Sequence, residues 1–320
     1  MSVFTPVSDG QLAAWLKNYS VGVPVALEPI AAGIENTNYF VTTGQGRYVL
    51  TLFERLPAAE LPFYLDLMAH LARHGIPCPA PIADLNDRFL SSLNGKPAAL
   101  VTRLEGKSVE NPDAADCAEL GELLARMHLA ACSYDGYLEN PRGPKWWRDA
   151  AADVRPFLDA ARGELLEEEL RFQAQQRFPD LPRAAVHADL FRDNAVFRDG
   201  RISGVFDFYF AGVDSFVYDL AVCANDWCLV NPERDRRLDE ARTQALLGAY
   251  MAARPLQAAE RAAWPAMLRA AALRFWLSRL HDKYLPRPGE LVKVHEPEHF
   301  RDILALRAAP GMQAPWAAPA

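Results

Sequence analysis

The sequence predicts an α+β fold with two lobes: a small antiparallel sheet carrying one helix, followed by a larger, mainly helical lobe. Three observations predict this class. The chain has 320 residues and is 50% hydrophobic, which is enough for two cores. Short β-rich runs separated by glycine turns fill residues 21–53. Beyond Ser108 the apolar residues recur at helical spacing instead.

The elements of the first lobe follow from local patterns. Extended runs at Asn38–Thr42 and Tyr48–Phe53, separated by a Gly-Gln-Gly turn, predict a hairpin. The apolar spacing in residues 58–75 predicts a helix that ends at a glycine. A further extended piece at Pro97–Arg103 completes a strand-rich lobe, to which we assign residues 1–103.

Residues 104–107 are predicted to form a hinge, and residues 108–320 a C-terminal lobe rich in helices. The predicted helices are Asp113–Ala131, Val154–Arg177, Val217–Leu229, Leu238–Ala253 and Glu260–Tyr284. Strands and turns interrupt them at residues 185–207. The Ala- and Pro-rich tail after Ala308 is predicted to be a poorly ordered end.

Charge and composition exclude several classes of protein. The net charge of -7 argues against nucleic acid as the main partner, since binding to phosphate backbones needs a basic surface. The sequence lacks an apolar run of about eighteen residues and a secretory signal at its start, so no membrane association is expected. Five cysteines without a CxxC pair favour reduced thiols and a cytoplasmic location.

The stretch "VHADLFRDNAVF", residues 186–197, carries the strongest chemical signal. His187, Asp189 and Asn194 have the H-x-D-x-x-x-x-N spacing of the catalytic loop of kinases. In that chemistry the Asp accepts the proton of the substrate hydroxyl, and the Asn oxygen binds Mg²⁺. We therefore predict that Asp189 is the catalytic base and Asn194 a metal ligand, while His187 holds the loop by hydrogen bonds.

A second metal ligand is predicted at Asp207. The chain alternates through Val196 and Phe197, turns at Asp199-Gly200 and returns as an apolar strand that ends at this carboxylate. A hairpin of this length would bring Asp207 next to Asn194, where it suits a hard, oxygen-preferring cation. The alternative is that these residues only form turns and cap a strand.

The stretch "GIENTNYF" lies between the first two strands, where a phosphate-covering flap would be expected. Gly33, Asn36 and Asn38 would then present backbone and side-chain amides to phosphate oxygens. Without the catalytic loop elsewhere in the chain, a plain turn would be the better interpretation of this stretch.

The quoted stretches, together with "LPFYLDLMAHL" and "GVFDFYFAGVDSFVYDLA", resemble the aminoglycoside phosphotransferase-like branch of the protein-kinase-like fold. Within that branch the chain is most similar to the homoserine kinases. The resemblance implies ATP and Mg²⁺, and transfer of the γ-phosphoryl group to the hydroxyl of L-homoserine in threonine biosynthesis. It also implies that Asp219 braces the catalytic loop, and that a hinge backbone faces adenine, formed by Arg103, Leu104 and Glu105.

One position departs from the wider kinase pattern. A Lys or Arg usually ends the strand V-A-I-K and pairs with the nucleotide phosphates. The matching residue here is Thr51, whose hydroxyl cannot supply a full positive charge. Lys96, Arg55 and Arg47 are candidates for the missing cation by proximity in sequence only.

The helix "AMLRAAALRFWLSRLHDKY" is apolar on two sides, so Arg274 and Arg279 are predicted to be partly buried and paired. One of them could bind the carboxylate of homoserine. The alternative is a structural ion pair with an Asp such as Asp282 or Asp226. Asp226 and Trp227 could line the same pocket, although a core position is the default for a tryptophan.

Two rival functions remain open from the sequence. The first is a kinase of the same fold that acts on another alcohol, such as an aminoglycoside or choline. The second is a non-catalytic nucleotide-binding scaffold, which the departure at Thr51 suggests. In the favoured interpretation the partners are the small molecules ATP and homoserine. The oligomeric state, a monomer or a weak dimer, does not follow from the sequence.

Overall fold

The structure is a computed structural model that describes residues 4–30, 36–286 and 295–310. The chain divides into two compact units between Glu105 and Gly106. This division lies within the segment that the sequence suggests as a hinge. The Ala- and Pro-rich tail beyond residue 310 lies outside the described residues.

The N-terminal unit is an antiparallel sheet of five strands with two helices. Its elements are α1 (Asp9–Leu16), β1 (Pro24–Pro29), β2 (Thr37–Thr43), β3 (Gly46–Leu52), α2 (Leu61–Arg73), β4 (Ser91–Leu93) and β5 (Lys96–Thr102). The strand order is β1-β2-β3-β5-β4. The predicted hairpin is β2–β3, with Asn38 opposite Thr51.

Strands β2 and β3 both place buried side chains in the core of this unit. Along β2 buried and half-buried residues alternate, as expected for a strand with one face on a core. Tyr39 and Val41 of β2 join Leu50 and Leu52 of β3 in that core, together with Trp15 of α1. The sequence interpretation missed α1, which begins at the capping residue Ser8.

The C-terminal unit is mainly helical, with short strand pairs. Its elements are α3 (Ala114–Ala131), α4 (Pro144–Val154), α5 (Ala160–Gln175), β6 (Arg183–Val186), β7 (Ala195–Arg198), β8 (Arg201–Val205), β9 (Gly212–Ser215), α6 (Phe216–Trp227), β10 (Leu229–Asn231), β11 (Asp235–Leu238), α7 (Glu240–Ala253), α8 (Ala258–Tyr284) and α9 (Glu298–Ala308). Three antiparallel pairs are β6–β9, β7–β8 and β10–β11.

The core of this unit lies between helices. Every residue of α6 is buried, and α6 packs against the long helix α8. Helices α3 and α7 approach closely at Gly121, where a Cβ would stand 2.2 Å from the Leu246 carbonyl oxygen. Only glycine allows the two backbones this separation. Helices α6 and α8 contact the loop between β6 and β7, which carries the predicted catalytic residues.

Four of the five predicted helices are present within two residues of their predicted bounds, but the single helix predicted at Val154–Arg177 is wrong. Helix α4 ends at Val154, a 3₁₀ turn follows at Arg155–Phe157, and Asp159 caps the new helix α5. Pro156 is the physical reason, since a proline cannot donate the hydrogen bond that a continuing helix needs. Helices α4 and α9 and the β10–β11 hairpin were also missed.

Candidate active site

The predicted catalytic loop connects β6 to β7 and folds back on itself through short-range hydrogen bonds. Its backbone bonds join the Phe191 nitrogen to the Asp189 oxygen at 2.8 Å, and the Asn194 nitrogen to the Phe191 oxygen at 3.0 Å. Ala188 adopts a left-handed conformation with φ of 61°. A non-glycine residue in this region is strained, so surrounding groups must hold it there.

Asp219 on α6 is one of the groups that hold the loop. Its two carboxylate oxygens accept the backbone N–H of His187 at 3.1 Å and that of Ala188 at 2.7 Å. Burial alone would raise the pKa of Asp219, but the hydrogen bonds and charges around it, led by those of His128, lower it below its usual value. The carboxylate is therefore ionised and braces the strained turn, the role that the family resemblance implies.

A buried chain of polar groups continues from Asp219 toward α7. His128 Nε2 lies 3.0 Å from Asp219 Oδ2, and its Nδ1 lies 2.7 Å from the Tyr250 hydroxyl. Arg254 donates to the same hydroxyl and pairs with Glu260 at 2.9 Å. Burial lowers the pKa of His128, so a neutral ring that donates to Asp219 satisfies every contact. No pattern in the sequence predicts this network.

His187 forms the inner support of the loop. Its Nε2 donates to the Phe206 carbonyl oxygen at 3.0 Å, and its Nδ1 accepts the Asp189 N–H at 3.2 Å. Burial lowers the pKa of His187, in keeping with a neutral ring. Both ring nitrogens form hydrogen bonds with backbone groups. The ring therefore links the backbone of Asp189 to that of Phe206, the residue before Asp207.

Asp189, Asn194 and Asp207 are brought together by the loop and by the β7–β8 hairpin. The Asn194 side chain donates from Nδ2 to the Asp189 carbonyl oxygen at 2.8 Å and lies 3.4 Å from its Oδ2. The hairpin pairs Ala195 with Val205, and the Phe206 N–H donates to the Asn194 oxygen at 3.0 Å. Asp207 thus follows directly after a residue bonded to Asn194, as the hairpin pattern predicts.

Two oxygen groups in this cluster could hold a hard cation. Because Asn194 commits its Nδ2 to Asp189, its Oδ1 is turned away, and Asp207 adds a carboxylate in a left-handed turn with φ of 66°. Amide and carboxylate oxygens are the donors that Mg²⁺ prefers. The described residues contain no cluster of three or more His, Cys, Asp and Glu side chains suited to a metal.

Arg274 on α8 makes a charge contact with Asp189. Its Nη1 lies 3.2 Å from Asp189 Oδ1, and its side chain is only 3% exposed. A guanidinium at this distance stabilises the negative charge of the carboxylate. Arg274 is buried and paired as expected, and its partner Asp189 is one that the sequence interpretation did not name.

The other predicted substrate-binding residues have structural contacts. Asp226 accepts the Arg192 N–H at 2.9 Å and lies 3.4 Å from the Arg192 guanidinium. The indole of Trp227 is fully buried and donates to the Leu190 carbonyl oxygen at 3.0 Å. Burial lowers the pKa of Arg279 to about 10, and its Nη1 lies 3.4 Å from the Glu296 carbonyl oxygen. The contacts of Asp226 and Trp227 thus support the predicted catalytic loop, and substrate binding by Asp226, Trp227 and Arg279 stays a prediction.

Comparisons with known proteins agree on one family. Residues 26–256 match the family model described as "Phosphotransferase enzyme family". The chain belongs to this family. A homoserine kinase of Methylobacillus flagellatus is 52% identical over 95% of this chain and 94% of its own length. A homoserine kinase of Burkholderia mallei is 48% identical over 97% and 96%.

Solved structures show that this phosphotransferase has the protein-kinase-like fold that the sequence predicts. An amicoumacin kinase in complex with AMP-PNP and Ca²⁺ superposes with a TM-score of 0.70 at 17% identity, covering 94% of this chain and 92% of its own. A spectinomycin phosphotransferase in complex with ADP and spectinomycin has a TM-score of 0.69 at 13% identity, covering 95% and 98%. The predictions of fold class and of a phosphoryl-transferring enzyme are confirmed.

In the N-terminal unit of this phosphotransferase, the residues predicted to contact nucleotide are partly described. Gly33 lies outside the described residues. The Asn36 side chain is buried, and its Oδ1 lacks a hydrogen-bond partner within the described ranges. Thr51 donates to Asn38 Oδ1 at 2.8 Å. Nucleotide contact by these three described side chains therefore stays a prediction.

The hinge residues and the candidate cations make contacts within the same unit. The Arg103 guanidinium stacks 3.8 Å from the centroid of Phe40, and Glu105 pairs with Arg47. Leu104 is half-buried. Lys96 Nζ lies 2.9 Å from a Glu54 carboxylate oxygen, and Arg55 is half-buried beside that glutamate in sequence. These contacts do not single out one of the three cations as the replacement for the usual lysine.

A search of the described residues for a membrane-crossing segment found no helix of sufficient length and apolar character.

Proposed function

We propose that this phosphotransferase is an ATP-dependent homoserine kinase, which transfers the γ-phosphoryl group of ATP to the hydroxyl of L-homoserine and releases O-phosphohomoserine and ADP. The product would serve threonine biosynthesis. The observation that carries the proposal is 52% identity over 95% of the chain with a relative named homoserine kinase. The kinase-type loop around Asp189 supplies the chemistry.

Asp189 would act as the general base. A base for this reaction must be an ionised carboxylate, held still and within reach of the attacking hydroxyl. Arg274 stabilises its charge, and Asn194 fixes its backbone carbonyl. The half-buried position of the Asp189 side chain, 14% exposed, leaves room for contact with an acceptor.

Asn194 and Asp207 would hold Mg²⁺ through their side-chain oxygens. When bound, the cation supplies charge neutralisation on the phosphate oxygens of ATP. The chain's own contribution is positioning. The β7–β8 hairpin and the hydrogen bond between Asn194 and Asp189 fix these two ligands relative to the base.

The N-terminal unit would bind the nucleotide. Gly33, Asn36 and Asn38 would contact the phosphates, while the hinge backbone at Arg103, Leu104 and Glu105 would face the adenine. The buried Oδ1 of Asn36, which has no hydrogen-bond partner among the residues that the structure describes, supports a polar partner for this segment. Thr51 would contribute a hydroxyl in place of the usual cation. ATP and L-homoserine are the proposed small-molecule partners, and a cytoplasmic location fits an enzyme of amino-acid biosynthesis.

An ADP-release assay over a panel of alcohols tests the proposal. The purified chain, with ATP and Mg²⁺, would be given homoserine, serine, choline and kanamycin in separate reactions. We expect ADP release with homoserine, at a kcat/KM at least about 10-fold above any other alcohol, because one mismatched group costs discrimination of that order or more. The Asp189→Asn variant, prepared identically, controls for contaminating kinases.

Two other results of this panel would each replace the proposal. ADP release with choline or kanamycin but not homoserine would identify a kinase of the same fold for another alcohol. If no alcohol causes ADP release while ATP raises the thermal stability of the chain, the protein is a nucleotide-binding scaffold.

A further inference from the structure

Arg274 is a buried arginine whose hydrogen-bonding capacity is mostly unused. A guanidinium carries five N–H donors in a planar fork. Nη1 contacts Asp189, but neither Nε nor Nη2 finds a hydrogen-bond partner among the described residues, and both are shielded from solvent. Buried polar groups in folded proteins are nearly always satisfied, so such atoms need an explanation.

Other buried arginines of the same unit do not share this feature. Arg254 makes a two-pronged pair with Glu260, at 2.9 and 3.2 Å. On α8 itself, Arg269 directs Nε and Nη2 to a single oxygen of Glu169. The buried Arg307 also directs both Nε and Nη2 to oxygen acceptors, on Asn225 and Arg236. Arg269 and Arg307 thus have acceptors for the same two donor atoms that Arg274 leaves unpaired among the described residues. Arg274 instead shares a carboxylate that the reaction needs.

The surroundings of Arg274 are aromatic with one additional polar atom. Its guanidinium lies 4.9 Å from the ring centroid of Phe210 and 3.7 Å from that of Phe275. The Tyr218 hydroxyl is buried and has no hydrogen-bond partner in the described part of the chain by distance and angle, although the Asn140 side chain acts on it as a hydrogen-bonding neighbour. Burial raises the pKa of the Tyr218 phenol, and the positive charge of Arg274 acts in the opposite direction.

The Arg274 donors that lack a partner among the described residues define a site for an anion next to the base. A carboxylate would match the fork of the guanidinium with two parallel hydrogen bonds. Homoserine has a carboxylate and a hydroxyl at the two ends of one short chain. A substrate held at Arg274 by the first group would present the second to Asp189.

We propose that Arg274, with the Tyr218 hydroxyl beside it, binds the carboxylate of the acceptor and is thereby the residue that selects homoserine over alcohols without a carboxylate. The inference rests on the proposed homoserine kinase activity. Before the acceptor arrives, Asp189 occupies one arm of the fork. The incoming carboxylate then pairs with the guanidinium in place of Asp189, so that Asp189 can accept the proton of the hydroxyl.

The test compares two acceptors that differ only in the carboxylate, L-homoserine and 3-aminopropan-1-ol. Arg274→Met removes the fork while keeping an apolar side chain of similar length. We expect the ratio of kcat/KM for homoserine to that for 3-aminopropan-1-ol to fall by about 10- to 100-fold, as for loss of a charge-assisted hydrogen bond. Arg269→Met is the matched control on α8, and its ratio should equal that of the original chain.

The equilibrium form of the same comparison does not depend on turnover. Calorimetric titration of each acceptor into the chain with Mg²⁺ and a non-hydrolysable ATP analogue should show a weaker Kd for homoserine in Arg274→Met, and an unchanged Kd for 3-aminopropan-1-ol. If Arg274→Met does not fold, Tyr218→Phe decides, because it removes one hydroxyl and keeps the ring. We expect it to lower the homoserine ratio by about 3- to 10-fold.

Failure of this inference differs from failure of the proposed function. If the original chain phosphorylates homoserine but the variants lose both acceptors to the same extent, Arg274 only positions Asp189 and the inference is wrong. If the original chain does not phosphorylate homoserine at all, the proposed function is wrong.

Discussion

Replacing Asp189 by asparagine is expected to lower kcat for homoserine by about 10²- to 10⁴-fold, the usual contribution of a general base. Asparagine has nearly the same shape, so the Asn194 contact to the residue 189 carbonyl oxygen remains. What disappears is the group that accepts the hydroxyl proton. The Kd for ATP should stay within about 3-fold of the original value, since the proposed phosphate contacts lie elsewhere.

The matched control is Asp193→Asn, an exposed carboxylate in the same loop. This change also removes one negative charge next to the site, so it reports any general electrostatic effect. We expect kcat for Asp193→Asn within about 3-fold of the original value. Near-normal turnover by Asp189→Asn, with homoserine as acceptor, would show that another group accepts the proton.

Replacing Asp219 by asparagine is expected to lower the free energy of unfolding by about 3–5 kcal/mol, the range for removal of one partner from a buried charged network. The asparagine amide would keep one acceptor oxygen. Its NH₂ group would replace the second oxygen and would face N–H donors that this oxygen now accepts. The left-handed Ala188 would lose its 2.7 Å hydrogen bond. We therefore also expect kcat to fall by about 10-fold or more, through displacement of Asp189. Chemical denaturation and steady-state kinetics measure the two effects.

The Asp84→Asn variant is the control for Asp219→Asn, because it distinguishes a loss of stability from a displacement of Asp189. Asp84 also is a buried carboxylate that accepts two backbone N–H groups, those of Asn86 at 2.8 Å and Arg88 at 3.1 Å. It belongs to the N-terminal unit. We expect Asp84→Asn to reduce stability while the folded enzyme keeps its kcat. Equal kcat for the Asp84 and Asp219 variants would show that Asp219 does not position the base.

The pH dependence of stability gives a further check on the role of Asp219, since the direction of the change with pH can be predicted. Because the pKa of Asp219 is lowered in the folded chain, its ionised form stabilises the fold above its unfolded pKa of about 3.9. That stabilisation is lost as the pH falls below this value toward the folded pKa. In Asp219→Asn this part of the acid dependence should disappear.

The geometry of the predicted catalytic loop could be anticipated from sequence because it is local, while the chemical roles of its residues stay predictions. His187, Asp189 and Asn194 lie within one loop, and the adjacent turn at Asp199-Gly200 brings Asp207 back beside them. The prediction of a single helix at Val154–Arg177 failed for an equally local reason. Pro156 interrupts the helix, but the helical pattern on both sides of the proline dominated the prediction. Short strands such as β10 and β11 carry too few residues for a period of two to emerge.

The parts of the site that escaped prediction depend on contacts between distant residues. Arg274 and Asp189 are brought into contact by the packing of α6 against α8 and not by any spacing in the sequence. The apolar pattern around Arg274 did indicate burial, but it could not name the partner. His128 and Tyr250 likewise meet only because α3 and α7 pack closely. Their positions in sequence carry no sign of a shared network.

The most direct measurement of the central claim is a crystal structure with Mn²⁺ in place of Mg²⁺, a non-hydrolysable ATP analogue and L-homoserine. The account predicts an anomalous Mn²⁺ peak bound by Asn194 Oδ1 and the Asp207 carboxylate. It also predicts that the homoserine hydroxyl lies about 2.6–3.2 Å from an Asp189 oxygen, the distance at which a base can accept its proton. A metal held by other residues, or a hydroxyl bound out of reach of Asp189, would contradict it.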